Sequence, residues 1–141
     1  MFDKTYEQRL TLWKQFRDEL ESSADPIQDT IDFYNKAPIA RINADPFTPS
    51  TWPDPWELLQ ENIYCDFVKI LAICYTLQLT DVLSDSAYVI HTAYDPIKSI
   101  TYYMLYVDDK VIGYIGDTYV LQKDLPSTIQ SQFEHTMPAL Q

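Results

Sequence analysis

The stretch Thr51 to Asp81, TWPDPWELLQENIYCDFVKILAICYTLQLTD, carries the longest apolar helical pattern of the 141-residue chain. Asp54, Pro55 and Glu57 supply an N-cap, a first helical residue and a capping-box acid. The run that follows places Leu59, Ile63, Phe67, Ile70, Cys74 and Leu77 on one face, and Tyr64, Val68, Leu71 and Tyr75 widen the apolar surface. A helix that is apolar on most sides belongs at the centre of a domain. Trp52 to Leu79 therefore reads as a core helix with a stiff lead-in, and Asn62 is its one candidate interruption. Cys65 and Cys74, nine residues apart on such a helix, would stand about 13 Å apart along its axis, too far for a disulfide.

Working outward, residues 38–55 hold five of the nine prolines and show no period. They predict an extended, irregular arm, suited to wrapping along another subunit. Before it, Tyr6, Leu10, Trp13, Phe16 and Leu20 recur at helical spacing behind a Thr5/Gln8 capping box. Asp25 and Pro26 start a second, shorter helix through Ile27, Ile31 and Tyr34. Beyond Ser86 the period falls from 3.6 to 2. Ala87–Tyr94, Ile100–Val107 and Lys110–Gly116 read as strands, the last two joined by a hairpin at Asp108 and Asp109, with a short fourth strand around Tyr119–Leu121. Asp124 and Pro126 predict a closing helix through Leu125, Ile129 and Phe133, and MPALQ is expected to fray.

The expected architecture is α+β in a single domain of residues 1–141: a helical part (1–37), the proline-rich arm (38–55), and a core (56–141) whose central helix packs on a three- to four-stranded antiparallel sheet. Hydrophobic residues make up 46% of the chain and aromatics 14%, enough for an ordinary core. Eleven tyrosines against two glycines suit wide, half-buried protein interfaces. Trp13, Phe16, Phe47, Trp52 and Trp56 are the residues expected at such contacts. A formal net charge of −11 argues against nucleic acid or an anionic membrane as partner. It leaves other protein subunits, a second copy of the chain, or a basic host protein met by an acidic decoy. No apolar run approaches the roughly 20 residues of a membrane span, and no signal-peptide core is evident, so a soluble product of a reducing cytoplasm is expected.

Metal and cofactor chemistry find no footing. Two cysteines outside CxxC spacing, with His91 and His135, do not form a zinc set, and no glycine-rich loop is available to cradle a nucleotide. Cysteine catalysis is the one enzymatic reading. Cys65 would be the nucleophile, His91 the base from a strand face shared with Val89 and Ala93, and Asp117 or Asp95 the orienting acid. It requires the helix to break at Asn62, so that Cys65 stands in the first turn where the helix N-terminus favours a thiolate.

Trp52, Pro55, Glu57 and Leu59, followed by Cys65-Asp66-Phe67, a helix ending Leu77-Gln78-Leu79, a strand and a hairpin, resemble the bacterial transglutaminase-like cysteine proteinases over residues 52–117. The resemblance implies a catalytic histidine near the start of the second strand, where this chain has Ile100, Thr101, Tyr102 and Tyr103. It also implies an orienting Asp or Asn on the third strand, where Asp117 is the nearest candidate, and glycines before the cysteine, where Glu61, Asn62, Ile63 and Tyr64 stand. A phenol that titrates near 10 is no base at neutral pH, so the triad is degenerate. The TWPDPWELL segment and the YTLQLTD helix end are also similar to small proteins of tailed cyanobacterial phages. That similarity implies a virion component of neck, tail or baseplate, made in the host cytoplasm. The expected function is a non-catalytic structural or interaction protein, with a Cys65 hydrolase or acyltransferase as the alternative.

Overall fold

The computed structural model describes residues 1–140 as four helices against one face of a five-stranded antiparallel sheet. Helix α1 (Tyr6–Leu20) starts at the Thr5/Gln8 capping box, and α2 (Pro26–Tyr34) starts at Asp25 with Pro26 in its first turn. The arm follows as irregular backbone with one short 3-10 turn, Pro49–Thr51. Then come α3 (Pro55–Glu61) and α4 (Asp66–Gln78).

The expected continuous helix is thus two. Asn62 adopts a left-handed conformation, φ 52° and ψ 38°, which ends α3, and its Nδ2 donates to the Phe2 carbonyl at 2.7 Å. Asparagine tolerates this region better than most residues, and the bond to Phe2 holds it there. Helix α4 is the centre of the molecule: every residue in it is buried except Asp66 and Lys69. Three helices meet on Thr76. Its hydroxyl donates to Ala72 O at 2.7 Å, one turn back, and therefore accepts from both Trp13 Nε1 and Tyr34 OH, each at 2.9 Å. Trp13 is 2% exposed, its ring taken up in the chain's own core.

The strands are β1 (Tyr88–Asp95), β2 (Ile100–Val107), β3 (Lys110–Ile115), β4 (Thr118–Leu121) and β5 (Gln130–Thr136), in the spatial order β4-β3-β2-β1-β5. The first four form the expected meander. At the β2–β3 hairpin Asp108 takes φ 53° while its carboxylate accepts the Ala87 amide at 2.9 Å. Gly113, at φ 104°, is required where it stands: a Cβ there would lie 2.2 Å from the Tyr103 carbonyl oxygen.

The closing helix is not formed. Residues 130–136 are instead strand β5, paired antiparallel with β1, which raises the sheet from the expected three or four strands to five. Leu125, Ile129 and Phe133 imitate a helical stripe, but they part company in space. Leu125 and Ile129 pack with Ala93, Met104 and Val111 on the sheet's outer face. Phe133 pairs with Thr92 and meets Phe47 of the arm. The free side of β1 offers a full ladder of hydrogen bonds, which a helix could not satisfy. Of MPALQ, Gln141 lies outside the described residues. The rest is held, with Met137 N donating to Tyr88 O and Pro138 O accepting from Gln78 Nε2, each at 2.9 Å.

Candidate functional site

Cys65 sits where the helix break puts it, as the N-cap of α4. Its backbone is extended, its carbonyl accepts the Lys69 amide at 2.9 Å, and its sulfur accepts the Val68 amide at 3.4 Å. The thiol therefore fills the place that Ser, Thr or Asp usually fills at a helix start. It is 1% exposed. The positional condition for an activated cysteine is met, yet the sulfur is spent on the helix's own amide.

The groups around it do not complete a catalytic set. Tyr103, in the strand region where the resemblance implies a histidine, lies beside Cys65 and Asp66. Burial, with those two groups adding to it, pushes its phenol above the ordinary value, so it holds its proton more firmly. His91 is across the sheet. Tyr88 and Ile90 of β1 join the α4 core, whereas Ala93 belongs to the outer cluster, and the alternation puts His91 with Ala93. There His91 Nδ1 pairs with Ser131 Oγ at 3.1 Å, Nε2 lies 3.7 Å from Glu134, and the ring stacks on Tyr106 at 4.1 Å. Burial lowers its pKa, with Glu134 opposing.

Asp117 is exposed, and its backbone oxygen takes a hydrogen bond from Gln28 at 2.7 Å. Asp95 is buried and occupied by the Ile97 and Lys98 amides and the Thr128 hydroxyl. The structure thus brings none of His91, Asp95 and Asp117 to Cys65. A cavity of about 180 Å³ lies near, between α4 and the β2–β3 strands, lined by Asp66, Lys69, Tyr103 and Gly113 among others, but Cys65 is not in its wall.

The second cysteine is more enclosed still. Cys74 is 0% exposed, its sulfur is 3.5 Å from Gln78 Oε1, and burial pushes its thiol far up. Both cysteines are free. Among the described residues no group of three metal-ligating side chains comes together, and no helix is long and apolar enough to cross a membrane.

Surface groups offer more. Of the aromatic residues expected at contacts, Phe47 is 51% and Trp56 48% exposed, the latter edge-on to Trp13. Phe16 stacks on Phe33 at 4.0 Å, and Trp52 packs on Phe67 and His135 while donating to Asp45 O at 2.7 Å. The arm therefore folds back on its own chain through Trp52 and leaves Phe47 open beside Phe133. Strand β5, with Glu134 and Thr136 exposed, is the functional candidate the sequence reading passes over. The alternation of Phe133 and His135 with polar neighbours was its only signal. Neither a protein-family model nor a curated protein sequence matches the chain.

Proposed function

We propose that this protein is a non-catalytic interaction protein, built on a transglutaminase-like arrangement whose cysteine has become a structural cap. The observation that carries the reading is the state of Cys65: enclosed at 1% exposure, its sulfur bound to the Val68 amide, with a proton-retaining phenol beside it. A cysteine nucleophile needs a base within hydrogen-bond reach. Here the bonds of His91 run to Ser131 and Glu134 on the outer face. Half-exposed Phe47 and Trp56 and a net charge of −11 support contacts with other protein subunits. In the setting that the Thr51–Asp81 resemblance implies, those subunits are structural proteins of a tailed-phage particle, at the neck, tail or baseplate.

The test is alkylation of the folded protein with iodoacetamide at pH 6 and pH 8, alongside mass spectrometry of purified particles. Cys65 is expected to label more slowly than a free thiol until the chain unfolds, and the protein is expected in the particles at fixed stoichiometry. Rapid labelling at pH 6, together with a hydrolase activity lost in Cys65→Ser, overturns the non-catalytic reading. Absence from the particles overturns the virion setting.

A further inference from the structure

The two edges of the sheet are finished differently. At the β4 edge, side chains of α2 hold the β3–β4 turn and the first residue of the strand: Gln28 Nε2 donates to Asp117 O at 2.7 Å, Asn35 Nδ2 to Gly116 O at 2.9 Å, and Thr118 Oγ1 to Gln28 Oε1 at 2.8 Å. At the other edge, β5 runs seven residues with a partner on one side only. Met137 N donates to Tyr88 O, so in the antiparallel alternation the Phe133 and His135 amides face β1 and those of Glu134 and Thr136 face outward. No described backbone or side-chain group accepts from these two.

Free edges are ordinarily blunted by lysine, proline or a bulge. Gln130–Thr136 contains no Lys, Arg or Pro; a bulge does interrupt its first half, where Gln132 is the extra residue between Ser131 and Phe133, set against Ala93 and Thr92. The portion from Phe133 to Thr136 remains regular.

What surrounds this edge selects the kind of strand that would add to it. The arm reaches β5 through Phe47 on Phe133 and Trp52 on His135, and it brings Asp45 and Asp54, both exposed. From Ile42 to Val68 and from Asp124 to Gln141 the chain has no lysine or arginine, and Glu134 stands on β5 itself. Phe47, 51% exposed and 5.9 Å from the Phe133 ring, is an apolar surface beside this edge that a side chain of an added strand could meet.

We infer that β5 is a docking edge for an extended, lysine- or arginine-bearing segment of a partner protein, which joins the sheet as a sixth strand. Backbone bonds to Glu134 and Thr136 hold the segment, one face of its side chains meets Phe47 and Phe133, and its cations meet Asp45, Asp54 and Glu134. A second copy of the chain fits less well, since it would set −11 against −11. The inference rests on the interaction reading above and names its surface.

The probe is a synthetic peptide of about ten residues alternating lysine and valine, long enough to span β5. Amide exchange of the full chain is expected to slow at Glu134 and Thr136 on peptide addition. The same peptide with alternate backbone nitrogens methylated is expected to bind about tenfold more weakly, the worth of one or two hydrogen bonds. Thr136→Pro removes an outward amide and leaves the ladder to β1 intact; it is expected to weaken binding about as much, while Glu134→Lys makes it less salt-dependent.

Absence of binding, protection elsewhere, or indifference to both N-methylation and Thr136→Pro overturns the site. Concentration-dependent dimerisation that protects the same amides without peptide also overturns it, by making a second copy the occupant. Should the site fail while Cys65 stays inert and the protein still co-purifies with particles, the interaction reading stands without it. A Cys65-dependent activity strikes that reading itself.

Discussion

Thr76 has one hydroxyl and three partners, and its capacity is fully used: one donor to Ala72 O, two acceptor positions for Trp13 and Tyr34. All of these groups are buried, with Thr76 at 0%. Thr76→Val keeps the shape and strands two donors, each at a cost of about 1–3 kcal/mol, so we expect a loss of about 2–4 kcal/mol by urea denaturation with an unchanged m-value. An unchanged midpoint would show that the node is not a constraint. His91 gives the pH-dependent counterpart. Its folded pKa is lowered from 6.5, so the unfolded chain binds the proton more readily and stability rises with pH through that window. The contribution is present above about pH 6.5 and is lost as pH falls towards the depressed folded value. Replacing it by Gln is expected to flatten that part of the stability profile. An NMR titration of His91 at or above 6.5 in the folded protein would contradict the sign.

At the level of elements, the break between α3 and α4 decides what Cys65 is. It depends on Asn62 holding φ 52° and reaching the Phe2 carbonyl across 60 positions of chain. Asn62→Ala loses both features, at roughly 1–2 kcal/mol for the left-handed backbone and about 1 kcal/mol for the bond, so a destabilisation of about 2 kcal/mol is expected. Asn62→Gly keeps the backbone freedom and should fall between Ala and the parent. If both substitutions proved neutral in chemical denaturation, the break would be held by packing and not by Asn62. The same dependence explains what the sequence could reveal. The caps at Thr5, Asp25 and Asp54 are legible because each is a local pattern with a local bond. The β1–β4 meander is legible because alternation and turn residues are local too. Asn62 is visible as an interruption, but its bond partner is distant. Strand β5 is hidden because Leu125, Ile129 and Phe133 fall at helical spacing by sequence and on two faces of the sheet in space. The pieces of the catalytic reading were likewise visible singly: the alternation put His91 with Ala93, and only the position of α4 revealed that this face is the far one.

For the whole molecule, charge sets a cost that local pairs do not offset. Against a net charge of −11, the described residues form three close ion pairs, Lys14–Asp18, His91–Glu134 and Lys110–Asp109, and each has at least one exposed partner. Exposed pairs contribute little, whereas the summed repulsion of the remaining acids acts on the compact state more than on the expanded chain. Salt reaches that repulsion readily, since the Debye length falls from about 30 Å at 0.01 M to about 10 Å at 0.1 M. Stability at pH 7 is therefore expected to rise over this range of sodium chloride, and the rise should shrink near the sequence isoelectric point of 4.3, where the net charge vanishes. Denaturation at fixed pH and stepped salt checks it. A fall in stability with salt at pH 7 would mean that attractive pairs outweigh the net field, and the acidity would then have to be explained by the fold and not by the partner. A rise fits the opposite assignment: the acids around β5 and the arm lower the stability of the free chain, and a cationic strand laid along that edge would relieve what salt relieves in its absence.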